Sequence, residues 1–263
     1  MSHQTLELRR DRAMARITLD RPPANALDLT MARELAEVAL VCDEDPEVRV
    51  VVLTGRGKAF CAGGDLASFG AAGERVRDAA QGGHRRSLHV AIARFARMRA
   101  PVIAAVNGVA AGAGFSLVTA CDLAVAAASA RFTMAYTAPA SLRTAARPSS
   151  WPRLIGLRRT QELMITNRML GAAEALRMGG LDACGSRRRA GDRRSMLSRA
   201  RSPPARPVRS PPSSDCCSCR AATASEAQME AETREIADAA RRPDGREGIA
   251  AFLEKRPPRF DGR

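Results

Sequence analysis

The sequence predicts a mixed α/β fold in which buried strands end at glycine turns. Val102–Val106 is a short, continuous apolar run, which favours a buried strand because most helices are longer. Asn107 and Gly108 interrupt this run, and Phe115–Ala120, which follows the next glycines, predicts a buried helix. Val48–Leu53 is another apolar run that leads into a glycine turn of its own. The two strand-to-turn units indicate the fold class.

The elements before the first glycine turn follow from local patterns. Leu6–Leu8 and Ala13–Leu19 predict two strands joined by a polar turn, as in a hairpin. Asp28 or Thr30 can cap the next helix, because short polar side chains accept hydrogen bonds from the first free N–H groups of a helix. Pro46 ends that helix, and the apolar run that leads into the first glycine turn begins directly after it.

The middle of the chain contains a helix, two histidines and a further strand. Leu88–Met98 predicts the helix, and Asp122–Ala126 predicts an edge strand after the second glycine turn. We interpret His84 and His89 as ordinary surface or helix residues, because His84 lies among arginines and His89 begins the helix. Phe132–Tyr136 is expected to follow this strand and to lie along the wall of a pocket.

The C-terminal part of the chain predicts three more helices. They are Ala172–Met178, a helix from Ser225 to about residue 241, and a last helix from Asp244 to near Lys255. Ser225 is a suitable N-cap, and Asp244 with Glu247 resembles a capping box. The last two helices form an amphipathic pair that fits a buried interface.

Each glycine turn has two possible explanations. The helix after Gly112-Ala113-Gly114 begins with N–H groups that lack partners, which suits an oxygen that gains negative charge. Phe60–Leu66 can aim a second N–H at the same oxygen, as in an oxyanion hole. Tight packing of helix on strand explains either turn equally well. The turns are neither a P-loop, since no Gly-Lys-Ser/Thr follows, nor a complete dinucleotide fingerprint.

The basic charge and the cysteines are concentrated in one segment. The formal charge is +14, and residues 182–223 contribute ten arginines against three aspartates, together with four of the seven cysteines. This segment has no aromatic residue and no helical or strand period, which predicts disorder. Cys216-Cys217-Ser218-Cys219 lacks the spacing of a metal site, and a nucleic-acid-binding arm is disfavoured because no aromatic side chain can stack on bases.

Several motifs, in order along the chain, resemble the crotonase (enoyl-CoA hydratase/isomerase) superfamily. They are F-C-A-G-G-D-L at 60–66, V-I-A-A-V-N-G-V-A-A-G-A-G at 102–114, A-C-D-L at 120–123, I-T-L-D-R-P at 17–22 and R-E-G-I-A-A-F-L-E-K-R-P-P-R-F at 246–260. The resemblance implies a crotonase-like ββα spiral core over residues 1–180, a frameshifted or disordered stretch over 181–224, and helices over 225–263. Those helices would pack a homotrimer or a dimer of trimers.

The resemblance also implies a site. The N–H groups of Gly64 and Ala113 would hold a thioester oxygen, and the substrate would be an acyl-CoA with no metal or redox cofactor. The positions matched to the CoA contacts of the family are Ala62, Asp65, Leu66 and, in the last helix, Lys255. Without a secretory or membrane-spanning segment, we expect a cytoplasmic enzyme that acts away from membranes.

The sequence departs from the hydratases of the superfamily at their two glutamates. Alignment on A-C-D-L places Ser116 and Tyr136 at these positions, and neither is a carboxylate base. Isomerisation of a double bond is therefore favoured over addition of water. An isomerase branch resembling the epoxyphenylacetyl-CoA isomerase of phenylacetate degradation uses an aspartate in Pro-Asp-Gly, but residues 138–150 contain no acid.

Shifted reading frames explain both irregular segments. Residues 142–147 can be encoded CTC CGG ACG GCA GCT CG, which contains Pro-Asp-Gly-Ser-Ser in another frame. Residues 214–218 can be encoded AGC GAC TGC TGC TCG, which, preceded by an A and read one step earlier, yields Lys-Arg-Leu-Leu-Leu. Residues 182–187 can be encoded GAC GCG TGT GGT AGC CGA, which yields Thr-Arg-Val-Val-Ala in another frame. We therefore predict frameshifts at about 138–150 and 180–224. The alternatives to an active enzyme are a catalytically silent CoA-binding oligomer and a nucleic-acid binder that uses the Arg-rich stretch.

Overall fold

The computed structural model describes residues 3–65, 84–135, 151–185, 243–254 and 256–259. Ten strands form two sheets in this part of the chain: β1 Leu6–Asp11, β2 Met14–Leu19, β3 Val50–Gly55, β4 Ala59–Cys61, β5 Val102–Val106, β6 Val109–Ala111, β7 Leu123–Ala127, β8 Arg131–Thr133, β9 Leu170–Gly171 and β10 Ala183–Gly185. The described helices are α1 Leu29–Glu44, α2 His84–Arg97, α3 Ala113–Ala120, α4 Trp151–Ile155, α5 Leu157–Thr166, α6 Ala172–Met178 and α7 Pro243–Leu253.

The two sheets divide the strands in a regular way. The larger sheet has the order β1-β2-β3-β5-β7-β10, and the smaller one has the order β4-β6-β8-β9. β1 and β2 pair antiparallel, whereas β2, β3, β5, β7 and β10 are parallel to one another. From β3 to β8, one strand enters the larger sheet, the next enters the smaller sheet, and a helix follows. This confirms the predicted α/β class and its ββα repeat.

The helices and aromatic side chains fill the space beside the sheets. Phe60, Phe95 and Phe132 are buried in one core together with residues of α1. Phe115 in α3 packs against Phe132 and against Trp151 in α4, with ring centroids 5.1 and 4.1 Å apart. Burial of such a side chain contributes about 1.5–3 kcal/mol. The start of α3, which follows the second glycine turn, is therefore held against the core.

Helix α1 begins and ends where local chemistry predicts. The carboxylate of Asp28 accepts a hydrogen bond from the N–H of Met31, which makes Asp28 the N-cap. Leu35 and Val38 are buried on the inner face, and Asp45 follows the last turn. Of the two predicted N-caps, Asp28 and Thr30, Asp28 is the one that caps the helix.

Several element boundaries differ from the predictions. β1 extends to Asp11, because its polar residues still pair with β2. The predicted edge strand is wrong, because β10 pairs with β7 on its outer side and makes β7 internal. β10 also lies beyond residue 180, within the segment predicted to lack regular structure. Leu181 is buried there, and Asp182 exchanges hydrogen bonds with Ala124.

Helix α2 begins at His84 and not at Leu88, so His89 lies inside the helix and does not begin it. The helix predicted from Ser225 lies outside the described residues, whereas α7 matches the predicted last helix. None of the helices in the described part of the chain is long and apolar enough to span a bilayer.

Candidate active site

The first glycine turn follows β4 and lies along the segment before α1. The N–H of Ala62 donates to the carbonyl of Ala24 at 3.0 Å. The N–H of Leu27 donates to Gly63 O at 2.7 Å, and the N–H of Asp65 donates to Leu27 O at 2.8 Å. Gly63 has a φ of +97°, which favours glycine because it lacks a Cβ. Three backbone hydrogen bonds therefore fix the course of this turn.

Asn25 supports the strand that leads into this turn. Its side chain is buried, and its amide donates to the carbonyls of Arg56, Ala59 and Phe60 at 3.0–3.2 Å. Its Oδ1 accepts from the N–H of Arg21 at 3.0 Å. The backbone φ of Asn25 is +54°, a conformation that asparagine tolerates better than most residues. Sequence reasoning missed Asn25, although the stretch Pro22-Pro23-Ala24-Asn25 carries a turn signal.

Arg21 and Asp65 form an ion pair beside the turn. Arg21 Nη2 lies 2.6 Å from Asp65 Oδ2, and Arg21 Nε lies 2.9 Å from Asp28 Oδ2. The side chains of Arg21 and Asp65 are 28% and 16% exposed, so solvent screens this pair only in part. Asp65, matched by resemblance to a CoA contact, thus binds a partner within the chain.

The second glycine turn joins β6 to α3. Gly112 has a φ of +51°, and its N–H donates to Thr133 O at 3.1 Å. Asn167 holds the segment after β8, because its Oδ1 accepts from the N–H of Ala135 at 2.8 Å and lies 3.3 Å from Thr133 Oγ1. Asn167 ends α5 in the left-handed conformation, a common role for asparagine. This residue was also missed in the sequence.

The two glycine turns contact each other. An ideal Cβ built on Gly63 would lie 2.9 Å from Ala111 O and 3.7 Å from Ala113 N. An ideal Cβ on Gly114 would lie 2.3 Å from Cys61 O. Only glycine permits such an approach of backbone to backbone. The predicted donors at Gly64 and Ala113 therefore belong to turns that touch.

The direction of each donor follows from the planarity of its peptide. In a trans peptide the N–H points opposite to the preceding C=O. Gly63 O accepts from Leu27, so the Gly64 N–H points away from the segment before α1. Gly112 O accepts from the Ser116 N–H at 3.0 Å inside α3, so the Ala113 N–H points out of the start of that helix.

Neither predicted donor has an acceptor among the described residues, whereas their neighbours Asp65 and Gly112 donate to backbone carbonyls. Gly64 is exposed and Ala113 is half-buried, so both remain accessible to a ligand. Two accessible donors at contacting turns can bind one oxygen atom. This geometry is consistent with the predicted oxyanion hole.

The other predicted site residues divide into two groups. Ala62 is exposed beside the first turn, and Ser116 lies in the first turn of α3, where its Oγ donates to Gly112 O at 3.3 Å. Tyr136, Leu66 and Lys255 lie outside the described residues, as do residues 138–150 and Cys216–Cys219.

A buried thiol lies beneath the turns. Burial raises the pKa of Cys61 to about 12, although the Gly63 N–H donates to its sulfur and opposes the shift. Burial also raises the pKa of Cys121, which follows α3. Both thiols are protonated at neutral pH and are unsuited to nucleophilic attack. Within the described ranges, no three His, Cys, Asp or Glu side chains are grouped to bind a metal.

Comparison with known proteins identifies the family of the chain. The enoyl-CoA hydratase/isomerase family model matches residues 9–263. A Rhodobacter capsulatus protein named probable enoyl-CoA hydratase is 35% identical, and the alignment covers 100% of both chains. The carnitinyl-CoA dehydratase of Escherichia coli K12 is 36% identical over 67% of this chain and 66% of its own length. A solved enoyl-CoA hydratase/isomerase from Pseudoalteromonas atlantica T6c has a TM-score of 0.80, with 26% identity and coverage of 98% and 100% of the two chains.

Proposed function

Because the chain belongs to the enoyl-CoA hydratase/isomerase family, we propose that it binds an acyl-CoA thioester with the thioester oxygen between Gly64 and Ala113. The observation that supports this proposal is the pair of accessible N–H groups on two contacting turns. Both donors are backbone groups, so no rotation of their own side chains can move them.

The proposed chemistry is stabilisation of a thioester enolate. When a base takes a proton from the carbon next to the thioester carbonyl, negative charge moves to the carbonyl oxygen, and the same base then returns the proton to another carbon of the acyl chain. The base would be the aspartate that the predicted frameshift at 138–150 hides. Donors aimed at that oxygen then bind more strongly than in the ground state, which lowers the barrier. The Ala113 N–H lies at the start of α3, where the helix dipole also favours negative charge. This electrostatic work requires no metal and no redox cofactor.

We propose isomerisation of the double bond in preference to addition of water. Ser116 stands at a position where a hydratase of the superfamily has a glutamate, and its hydroxyl bonds to Gly112 O. Asp65 is the one carboxylate in the segments 59–65 and 107–116, and its partner is Arg21. Moving a proton within the acyl chain needs no water activated by paired carboxylates. A silent CoA-binding oligomer is the alternative if the acid is missing from the chain.

Removal of the Ala113 N–H tests the oxyanion hole. Ala113 is the first residue of α3, the position at which proline is best tolerated, so Ala113→Pro deletes the N–H without breaking a helical hydrogen bond. Loss of one such donor is expected to lower kcat about 10²–10³-fold. The measurement is turnover of 3-enoyl-CoA and 2-enoyl-CoA substrates.

Ala113→Ser is the matched control, because it changes the side chain and keeps the N–H. Equal activity of the proline and serine variants would contradict the proposal, provided that both melt near the wild-type temperature. Reaction in ¹⁸O-labelled water separates the two chemistries, because only hydration incorporates the label. Label in the product of a 2-enoyl-CoA would contradict isomerisation as the preferred reaction.

The remaining expectations are also proposals. Exposed apolar side chains on and between α4, α5 and α6 support assembly into a trimer or a dimer of trimers; they are Leu154, Leu157, Ile165, Met169 and Leu176. Ala62, Asp65, Leu66 and Lys255 are proposed to contact the CoA, and the cytoplasm is the proposed location. The frameshifts at 138–150 and 180–224 stay a prediction that sequencing of the coding DNA tests.

A further inference from the structure

We propose that Arg21 is a positioning residue that holds the Gly64 N–H in place through Asp65. The inference rests on the proposed function, because it assigns a role to Arg21 in the same site. Arg21 itself does not touch the thioester oxygen in this proposal. It acts through the residue that directly follows the donor.

The Arg21 guanidinium connects three points around the first glycine turn. Its Nη2 lies 2.6 Å from Asp65 Oδ2, its Nη1 donates to Ala26 O at 3.1 Å, and its Nε lies 2.9 Å from Asp28 Oδ2. Asp28 is the N-cap of α1, a helix packed in the core. Arg21 therefore links the residue after Gly64 to a rigid element, and a planar guanidinium with several donors suits this bridge.

The turn needs such a link because two glycines precede Asp65. Gly63 and Gly64 lack a Cβ and have more accessible backbone conformations than other residues. Backbone bonds fix Gly63 O and Asp65 N on either side of Gly64, both to Leu27. The Arg21–Asp65 ion pair adds a side-chain link to these two backbone hydrogen bonds. Without this pair, the peptide that contains the Gly64 N–H keeps its two flanking backbone bonds but loses the link from Asp65 to Arg21.

The charge of Arg21 has a second consequence. Asp28 and Asp65 both face its guanidinium. Without Arg21, the negative charge of Asp65 near the first glycine turn loses the compensation that the guanidinium provides. Like charges at short range disfavour each other, so the enolate loses stabilisation. Loosening of the turn and repulsion of the oxyanion both lower kcat.

The test compares Arg21→Met with Arg56→Met in the full-length protein. Arg56 is a matched control because its side chain also pairs with two carboxylates, those of Glu7 and Asp20, but not with either glycine turn. Displacement of a positioned group by about 1 Å costs on the order of 10²-fold in rate. We expect this loss in kcat for Arg21→Met, a smaller loss for Arg21→Lys, and little change for Arg56→Met.

A spectroscopic readout separates positioning from stability. Hydrogen bonds to a thioester carbonyl lower its stretching frequency, which difference infrared spectroscopy measures on bound butyryl-CoA without turnover. We expect a lowered frequency in the wild type and a return toward the free value in Arg21→Met. No shift in the wild type would overturn the proposed function. A wild-type shift that persists in Arg21→Met with unchanged kcat would overturn only the role of Arg21.

Two further measurements complete the test. Butyryl-pantetheine lacks the phosphates of CoA, so the spectral change of Arg21→Met persists with it if Arg21 positions the turn. A change seen only with butyryl-CoA would identify Arg21 as a phosphate contact and overturn the inference. Asp65→Asn keeps the Arg21–Asp28 pair and replaces Arg21→Met in this test if Arg21→Met does not fold. If both variants fold, the loss of kcat in the double variant should be smaller than the sum of the two single losses, because both substitutions remove the same ion pair.

Discussion

Gly114 is the position at which the contact between the two glycine turns is tightest. The change Gly114→Ala would place a Cβ 2.3 Å from Cys61 O, 2.6 Å from Cys61 Cβ and 2.9 Å from Cys61 C. Two of these atoms are backbone atoms, and Cys61 ends β4 in the core. Rotation of a side chain cannot relieve the clash. The start of α3 and the first glycine turn must therefore move apart.

The size of the effect follows from these distances. An ordinary contact of about 3.5 Å requires the two turns to separate by about 1 Å. Overpacking of this kind costs about 1–3 kcal/mol. Alanine in place of a helical glycine would otherwise stabilise the protein by about 1 kcal/mol. Because the clash exceeds this gain, we expect a lower free energy of unfolding. A shift of about 1 Å between the two donors also predicts a loss of roughly 10²-fold in kcat.

The assay combines denaturant unfolding with thioester turnover. Gly171→Ala is the matched control, because nothing lies within 4 Å of its added Cβ and its φ is −80°. We expect the stability of the control to change by no more than about 1 kcal/mol, because the lower entropy of the unfolded chain is opposed by the poorer N-cap that alanine makes for α6. If Gly114→Ala has the same stability and kcat as the control, the contact between the two turns is refuted. The basis for one oxygen bound by both N–H groups is then refuted as well.

The other predictions concern buried ionisable groups. Burial opposes ionisation of Glu34. Hydrogen bonds from Thr5 and from the Gln4 N–H outweigh this effect and lower the pKa of Glu34 below its usual value. The stability from Glu34 is therefore present at neutral pH and lost as the pH falls through the folded pKa. Glu34→Gln should cost about 1–3 kcal/mol at neutral pH and progressively less in acid, as measured by urea unfolding. The exposed control Glu37→Gln should show no such trend, and an equal trend in both would contradict the assignment. The pKa of Cys61, raised by burial to about 12, predicts alkylation only after unfolding. Peptide mass spectrometry should detect alkylation of the half-buried Cys184 before that of Cys61. Equal rates of alkylation of the two cysteines in the folded protein would contradict this expectation.

Local patterns in the sequence predicted most of the elements around the site. The apolar run Val102–Val106 is a strand, Asp28 caps α1, and α6 has the predicted bounds. These features depend on neighbouring residues, because period, capping and turn chemistry act over a few positions. The order of the motifs, which resembles a known family, indicated the rest of the core.

The supporting residues were missed because their partners are distant in sequence. Asn25 bonds to Ala59 and Phe60, and Asn167 bonds to Ala135. Each is a polar residue in a turn, and its local sequence predicts no partner. β7 was mistaken for an edge strand for the same reason, because β10 follows it by more than fifty positions.

The sequence by itself determined the α/β class, the strands that end in glycines and the family to which the motifs belong. It also determined that glycine stands at positions 63, 112 and 114, where the structure has a positive φ or a contact too close for a Cβ. Only the tertiary structure decided that the two turns touch, that Gly64 is exposed and Ala113 half-buried, and that Arg21 pairs with Asp65. The physical reason is that short-range preferences act along the chain, whereas the packing of the whole core sets the distance between turns.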